Sequence, residues 1–417
     1  MAGSTLPPSH STFSGASNLL IEDAGTMGAQ EYHLKVWKRI VELEEEIRTL
    51  KSCHNSATSI CRLPIEILSA IFSATFRIAV SQLVRATHVY RHWRAVALDC
   101  PDLWKELDSS TFRTIGLADT MLDRSKRSPL TVSYIGNRDA HPRRPQVAVG
   151  SLSKALYDLS RLRLVEVSNA YSINIILPPL LSGWPDGRAP ILETLQLVNI
   201  VDADGYYLMG TREPDYDELQ VSYFQGPLLA GGASLLRDLT LSHIGVRWGM
   251  LPLGPNITRL RLLEDLRDVR SYTPSTLDFV QSLRKMPHLE NLELHGFLPP
   301  MESAYVAQHA LFAFPSGFKS LKLSDSCDRL AHFFQFARVL DKVIITVTFF
   351  QAEFGEDDFQ HVLEHLKPSV GIGRASSSVE KFLDQRCSTS FQLHFSECQR
   401  ENSTTSEDSM DVSPPLP

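Results

Sequence analysis

The chain has 417 residues, 43% hydrophobic and 21% charged, with a formal net charge of −7. That balance gives no electrostatic footprint for a nucleic-acid backbone, and no apolar run approaches the ~20 residues a membrane-spanning helix needs. Its six cysteines (Cys53, Cys61, Cys100, Cys327, Cys387, Cys398) are scattered, which fits a reducing compartment, cytoplasm or nucleus, better than a disulfide framework. The length predicts two or three domains. The first residues, MAGSTLPPSHSTFSG, have neither the basic start nor the apolar core of a secretory signal.

Residues 1–29 are rich in Ser, Gly and Pro, show no period and read as disordered. In residues 31–51 the pattern changes. Val36, Ile40, Leu43, Ile47 and Leu50 alternate by four and three, the seam of a coiled coil, and Lys38, Arg39, Glu44, Glu45, Glu46 and Arg48 clothe the other face. Two readings stay open: self-association into a homodimer through this helix, or an amphipathic helix folded back onto a neighbouring domain. Ser52 to Ser59 reads as a polar linker.

Cys61 to Trp104 holds the densest helix signals. Leu63-Pro64 reads as a helix start, because proline at the first helical position gives up an amide that would lack a partner anyway. Ile65, Leu68, Ile71 and Phe72 follow at helical spacing. A short helix around Leu83 and Val84 comes next, then a third from Tyr90 to Asp99, which Pro101 ends. Three such helices bury little alone and call for a partner. The series Leu63, Pro64, Glu66, Ile67, Leu68, Ile71, Phe72, Val89, Arg91, Trp93, Pro101, Leu103 and Trp104 resembles the F-box, and most closely the F-box families of filamentous fungi. Tyr90 departs from it, standing where relatives carry a small residue. The resemblance implies that the segment docks a Skp-type adaptor, and through it a cullin. Leu63, Pro64, Ile67, Leu68, Ile71 and Phe72 would then form one apolar surface, supported or extended by Val89, Trp93, Leu103 and Trp104; some of these residues must be internal core instead, which the sequence does not separate, with Trp93 the residue most suited to it.

Beyond this, a helix is expected over residues 116–127 and a strand over 130–134. The proline-rich basic stretch Arg138 to Pro145 reads as a solvated loop. A leucine pattern then recurs at relative positions one, four, six and nine: Leu159-Leu162-Leu164-Val167, Leu192-Leu195-Leu197-Ile200, Leu236-Leu239-Leu241-Ile244, Ile257-Leu260-Leu262-Asp265, Leu289-Leu292-Leu294-Phe297, Phe318-Leu321-Leu323-Ser326 and Leu340-Val343-Ile345. This resembles leucine-rich repeats, whose stacked parallel strands share a continuous core. The Asn or Cys usual at position nine is missing, so irregular turns are expected. Helices are expected between strands at 274–285, where Leu277, Val280 and Leu283 share a face, at 301–314 and at 327–339. A long insert carries Tyr206, Tyr207, Tyr216, Tyr223 and Phe224 among acidic residues, a composition suited to substrate recognition or to packing on its own repeat. A helix at 359–366 and the segments 379–386 and 391–395 would close the array. Residues 400–417 read as a disordered acidic tail.

Little here suggests chemistry. Gly371-Ile-Gly373 lacks the third glycine and preceding strand of a dinucleotide loop. His361 and His365, four apart, have no third ligand in reach, and Cys387 and Cys398 around His394 do not have zinc spacing. His88 and His92 fall inside the helical module. No catalytic, cofactor-binding or metal-binding residue is expected.

The expected architecture is α+β with an α/β solenoid: disordered 1–29, a coiled-coil-like helix at 31–51, a three-helix F-box at 59–108, a degenerate leucine-rich-repeat domain at 115–398 and a tail at 400–417. The expected function is the substrate-recognition subunit of a Skp–cullin–F-box ubiquitin ligase, non-catalytic itself. The alternative is a protein-interaction scaffold acting outside any ligase.

Overall fold

The computed structural model describes residues 13–76, 80–136, 146–169, 187–199, 222–223, 226–263, 273–300, 312–339, 343–349, 377–383 and 389–395. The chain divides into two units, Met1–Leu103 and Trp104–Pro417.

The first unit is helical. Helices α1 (Gly15–Glu22) and α2 (Ala29–Ser56) precede a short helical module of α3 (Ile65–Phe76), α4 (Val80–Ala86) and α5 (Arg91–Asp99). Helix α1 corrects the expectation of disorder across residues 1–29; residues 1–12 lie outside the described residues. It forms because α2 offers it a face. Tyr32, Val36, Arg39 and Leu43, three and four apart, are half-buried. The Arg39 guanidinium donates to Ser14 Oγ at 3.0 Å and Ser17 Oγ at 3.3 Å. Helix α2 also runs through the stretch expected as a linker. The hydroxyls of Ser56 and Thr58 donate to the carbonyls of Cys53 and Asn55, satisfying acceptors that a helix end leaves open.

The second unit is built on a parallel sheet. Strand β1 (Glu106–Leu107) is followed by α6 (Ser109–Arg113), α7 (Leu117–Arg124), β2 (Leu130–Ile135), α8 (Gln146–Tyr157), β3 (Leu162–Asn169) and β4 (Thr194–Asn199). Then come β5 (Ser222–Tyr223), β6 (Asp238–Ser242), β7 (Ile244–Gly245), β8 (Arg259–Leu263), α9 (Thr276–Arg284) and β9 (Asn291–His295). The series ends with β10 (Phe312–Ala313), β11 (Ser320–Asp325), α10 (Cys327–Phe336), β12 (Ala337–Arg338) and β13 (Ile344–Phe349). The nine strands β1-β2-β3-β4-β6-β8-β9-β11-β13 pair in chain order. The short pairs β5–β7 and β10–β12 form separate parallel ribbons. Strands β14 (Ser377–Leu383) and β15 (Thr389–Phe395) pair antiparallel.

The register explains the leucines. Two rows cross the sheet: Val165, Leu195, Leu239, Leu260, Leu292, Leu321, Ile345 and, two residues on, Val167, Leu197, Leu241, Leu262, Leu294, Leu323, Val347. No member is more than 2% exposed. Alternation along each strand sends the intervening residues to the other face, where Gln196, Thr240, Arg261, Glu293, Lys322 and Thr346 line up in one polar row. Arg261 Nε lies 2.7 Å from Glu293 Oε2, and Arg259 Nη1 lies 2.8 Å from Asp238 Oδ2.

The first and last repeats are in a different phase from the one the leucine pattern suggests. Val165, not Leu162, aligns with Leu195, and Ile345, not Val343, aligns with Leu321. Runs of apolar β-formers at 162–167 and 343–347 admit more than one alignment, and the backbone ladder decides between them.

Helices α9 and α10 pack through aromatics: the Phe279 ring lies 5.0 Å from Trp248 and 6.2 Å from Phe333. Helix α9 buries Phe279, Val280 and Leu283, while Leu277, expected on that face, is 43% exposed. The expected helix 327–339 stops at Phe336, where β12 begins. Of the expected helix 301–314, residues 301–311 lie outside the described residues and Phe312–Ala313 is strand. The expected helix at 359–366 also lies outside them, as do the basic stretch 138–145 and the tail 400–417.

Candidate functional site

The site begins at Leu63. Its extended backbone (ψ 142°) is what a following proline imposes, and the Leu68 amide donates to the Pro64 carbonyl at 3.0 Å to start α3. Helical spacing then lays two apolar stripes side by side. Leu68 and Phe72, four apart, are 0% and 2% exposed. Pro64, Ile67 and Ile71, at intervals of three and four, face outward, with Ile67 49% and Ile71 37% exposed.

The inner stripe builds the core of the module. The Phe72 ring meets Trp93 edge-on at 5.5 Å. Leu83 and Ala86 from α4 and Val96 and Ala97 from α5 are buried too. Trp93 is half-buried, and its Nε1 is enclosed without a hydrogen-bond partner. This separates residues that the sequence leaves mixed: Leu68 and Phe72 are interior, because a four-residue step keeps them on the face that meets Trp93.

Further aliphatic residues are open away from this stripe. Ile65 (57% exposed) and Val89 (63%) are open, and so is Ile60. The sequence motif names neither Ile60 nor Ile65 as a docking residue: Ile65 enters only through its helical spacing with Leu68 and Phe72, and Ile60 lies before the motif. Glu66 and Arg91 are exposed, whereas Leu63, Pro101 and Leu103 are half-buried. Trp104 is fully buried in the second unit, with the Arg124 guanidinium 4.5 Å above its ring.

Tyr90 has a structural role. It stands at the N-cap of α5 in extended conformation, and its hydroxyl reaches across to α2, donating to the Ser52 carbonyl at 3.4 Å. Arg91 Nη2 lies 3.9 Å from Glu45 Oε1 on the same helix. A small residue at position 90 would make neither the phenol contact nor the ring contact with His92.

Of the proposed insert contacts, Tyr206, Tyr207, Tyr216 and Phe224 lie outside the described residues, and only the backbone of Tyr223 is described, in β5. The position-nine Asn has a functional replacement that the sequence reading missed. Asp325 Oδ2 accepts the Leu298 amide at 3.1 Å and Oδ1 accepts the Ser326 amide at 2.8 Å, joining two successive turns. Burial pushes this carboxyl above its ordinary value, and these amides with Arg329 offset only part of that rise.

Among the described residues, no group of three His, Cys, Asp or Glu side chains is placed to hold a metal ion. No described helix is long and apolar enough to cross a membrane.

A small helical module that closes its own core yet leaves an aliphatic face open has the anatomy of a protein-docking module. A family model described as F-box-like matches residues 60–110. No curated protein matches the chain. The chain therefore carries an F-box-like domain, a class that binds Skp-type adaptors.

Proposed function

We propose that the chain is the substrate-receptor subunit of a Skp–cullin–F-box ubiquitin ligase. The observation that carries this reading is the open aliphatic face of Pro64, Ile67 and Ile71 beside a separately closed core. Leu63 and Val89 extend that face, and Glu66 and Arg91 supply a polar rim. Burying an aliphatic side chain contributes ~1.5–3 kcal/mol, so a few of these residues suffice to anchor an adaptor. The sheet unit, read as a degenerate leucine-rich-repeat array, holds the protein substrate. The chain has no catalytic role; it raises the local concentration of substrate lysines near the charged conjugating enzyme.

The test is co-purification of the full chain with a Skp-type adaptor and a cullin. Ile67→Asp with Ile71→Asp should abolish capture of both while leaving the helical circular-dichroism signal intact. Unchanged capture in that double variant would overturn the docking face. Capture of adaptor without cullin would point to a scaffold working outside a ligase.

A further inference from the structure

Helix α2 is 28 residues long and has no buried side chain along its whole length. Helices are marginal in water unless an apolar face is packed, so its existence calls for a partner. Helix α1 lies on the N-terminal part of one face, where Tyr32, Val36, Arg39 and Leu43 are half-buried, and leaves the continuation of that face past Leu43 uncovered. The docking module reaches Glu45 and Ser52, through Arg91 and Tyr90. At 3.6 residues per turn those two contact points lie opposite the line Ile40, Leu43, Ile47, Leu50. On that line Leu43 is half-buried where α1 ends, while Ile40, Ile47 and Leu50 are 41%, 50% and 62% exposed.

We propose that this line is a dimer seam and that its occupant is α2 of a second copy of the chain, running parallel. Two independent features of the sequence select that occupant. First, the seam places Ile40 and Ile47 at one heptad position and Leu43 and Leu50 at the other. β-Branched residues at a with leucine at d favour two parallel strands. Second, the flanking charges match only partly in the alternative. A parallel pair sets Arg39 against Glu44 of the other copy and Glu46 against its Lys51, opposite signs in both cases. An antiparallel pair sets Arg39 against Glu46 and leaves Lys51 facing Gln30. Arg39 is already engaged with Glu42, Ser14 and Ser17, so Glu46–Lys51 is the pair free to set orientation. Parallel pairing carries two docking modules at the same end of one coil, presenting two adaptor-binding faces to one substrate assembly.

The experiment is light scattering of the full chain on a sizing column, with dissociation followed by dilution. The wild type is expected at two copies of the 46.7 kDa chain. Ile47→Asp with Leu50→Asp should give one copy. Glu46→Lys turns two attractive contacts repulsive and should weaken the dimer about tenfold. Adding Lys51→Glu should restore it, whereas adding Arg39→Glu should not. A wild type that is monomeric at every concentration, or of any mass other than two copies, overturns the seam. Rescue of Glu46→Lys by Arg39→Glu instead of Lys51→Glu overturns the parallel orientation.

Discussion

The helical unit and the sheet unit handle apolar residues in opposite ways. Among the described residues, thirteen large hydrophobics are exposed between Phe13 and Val89, against six from Ile115 to Ile344. The sheet unit is much the longer, so the contrast is sharper than the counts. The reason is geometric. Each strand of a parallel sheet gives alternate residues to a row that its neighbours extend, so Leu239, Leu260, Leu292 and Leu321 are covered by the next repeat. A short helix has two or three apolar stripes and a module of three helices can close over only one of them. Stripes are therefore left open, at Ile67 and Ile71 and again at Ile40, Ile47 and Leu50.

The contrast breaks most easily inside α3, where neighbouring residues carry both behaviours. Phe72→Ala should cost about 4 kcal/mol, since it removes a ring packed on Trp93 and leaves a cavity. Ile71→Ala should change stability by less than about 0.5 kcal/mol and show its effect in adaptor capture instead. Urea unfolding of both variants checks this, and equal losses would mean that α3 has no inner and outer face.

In the sheet, Leu292→Ala should cost about 3 kcal/mol. Leu292 lies between Leu260 and Leu321 in the fully buried row, so the loss should appear in the sheet unit's unfolding while adaptor capture is unchanged. A parallel loss of capture would show that the two units are not energetically separate.

How far these contrasts are legible in the sequence depends on how many phases a segment allows. Where a strand reads Leu-x-x-Leu-x-Leu, as at Leu289, Leu292 and Leu294, only one register puts every leucine inside. At Leu162-Arg-Leu-Val-Glu-Val and Val343-Ile-Ile-Thr-Val several registers do, and the ladder with neighbouring strands chooses. The F-box-like stretch was legible through Leu63-Pro64 and the helical spacing behind it. The split between Leu68/Phe72 and Ile67/Ile71 was not, because both stripes are apolar and lie one residue apart. Helix α1 and the two-residue β1 were invisible because each depends on a partner distant in sequence. Asp325 escaped notice for a related reason: its work is done on the Leu298 amide, in the preceding repeat.

Asp325 and Tyr90 sharpen the contrast at smaller scale. Asp325→Ala leaves two amides without their acceptor and should cost about 2 kcal/mol, detectable as a lowered unfolding midpoint. Its carboxyl sits above its ordinary value in the folded state, so its ionisation destabilises the fold progressively as pH rises past ~4. Asp325→Asn should remove that pH dependence. Tyr90→Phe deletes the hydrogen bond to Ser52 and should cost about 0.5–1 kcal/mol, read as faster amide exchange at the C-terminal end of α2.

A last contrast concerns Asp108, the N-cap of α6. Thr111 N donates to its Oδ1 at 2.8 Å, and the hydroxyls of Ser110 and Thr111 donate to the same oxygen. Burial pushes the carboxyl up, but these donors outweigh burial and hold it below the ordinary aspartate value. A depressed folded value means that the ionised cap stabilises the fold above the unfolded value near 4, and that this contribution disappears as pH falls through the lower folded one. Asparagine caps as well without titrating. Wild type should therefore lose stability relative to Asp108→Asn on going from pH ~5 to pH ~3. A difference that stays constant over that range would show that the cap acts through hydrogen bonding alone, independent of its charge.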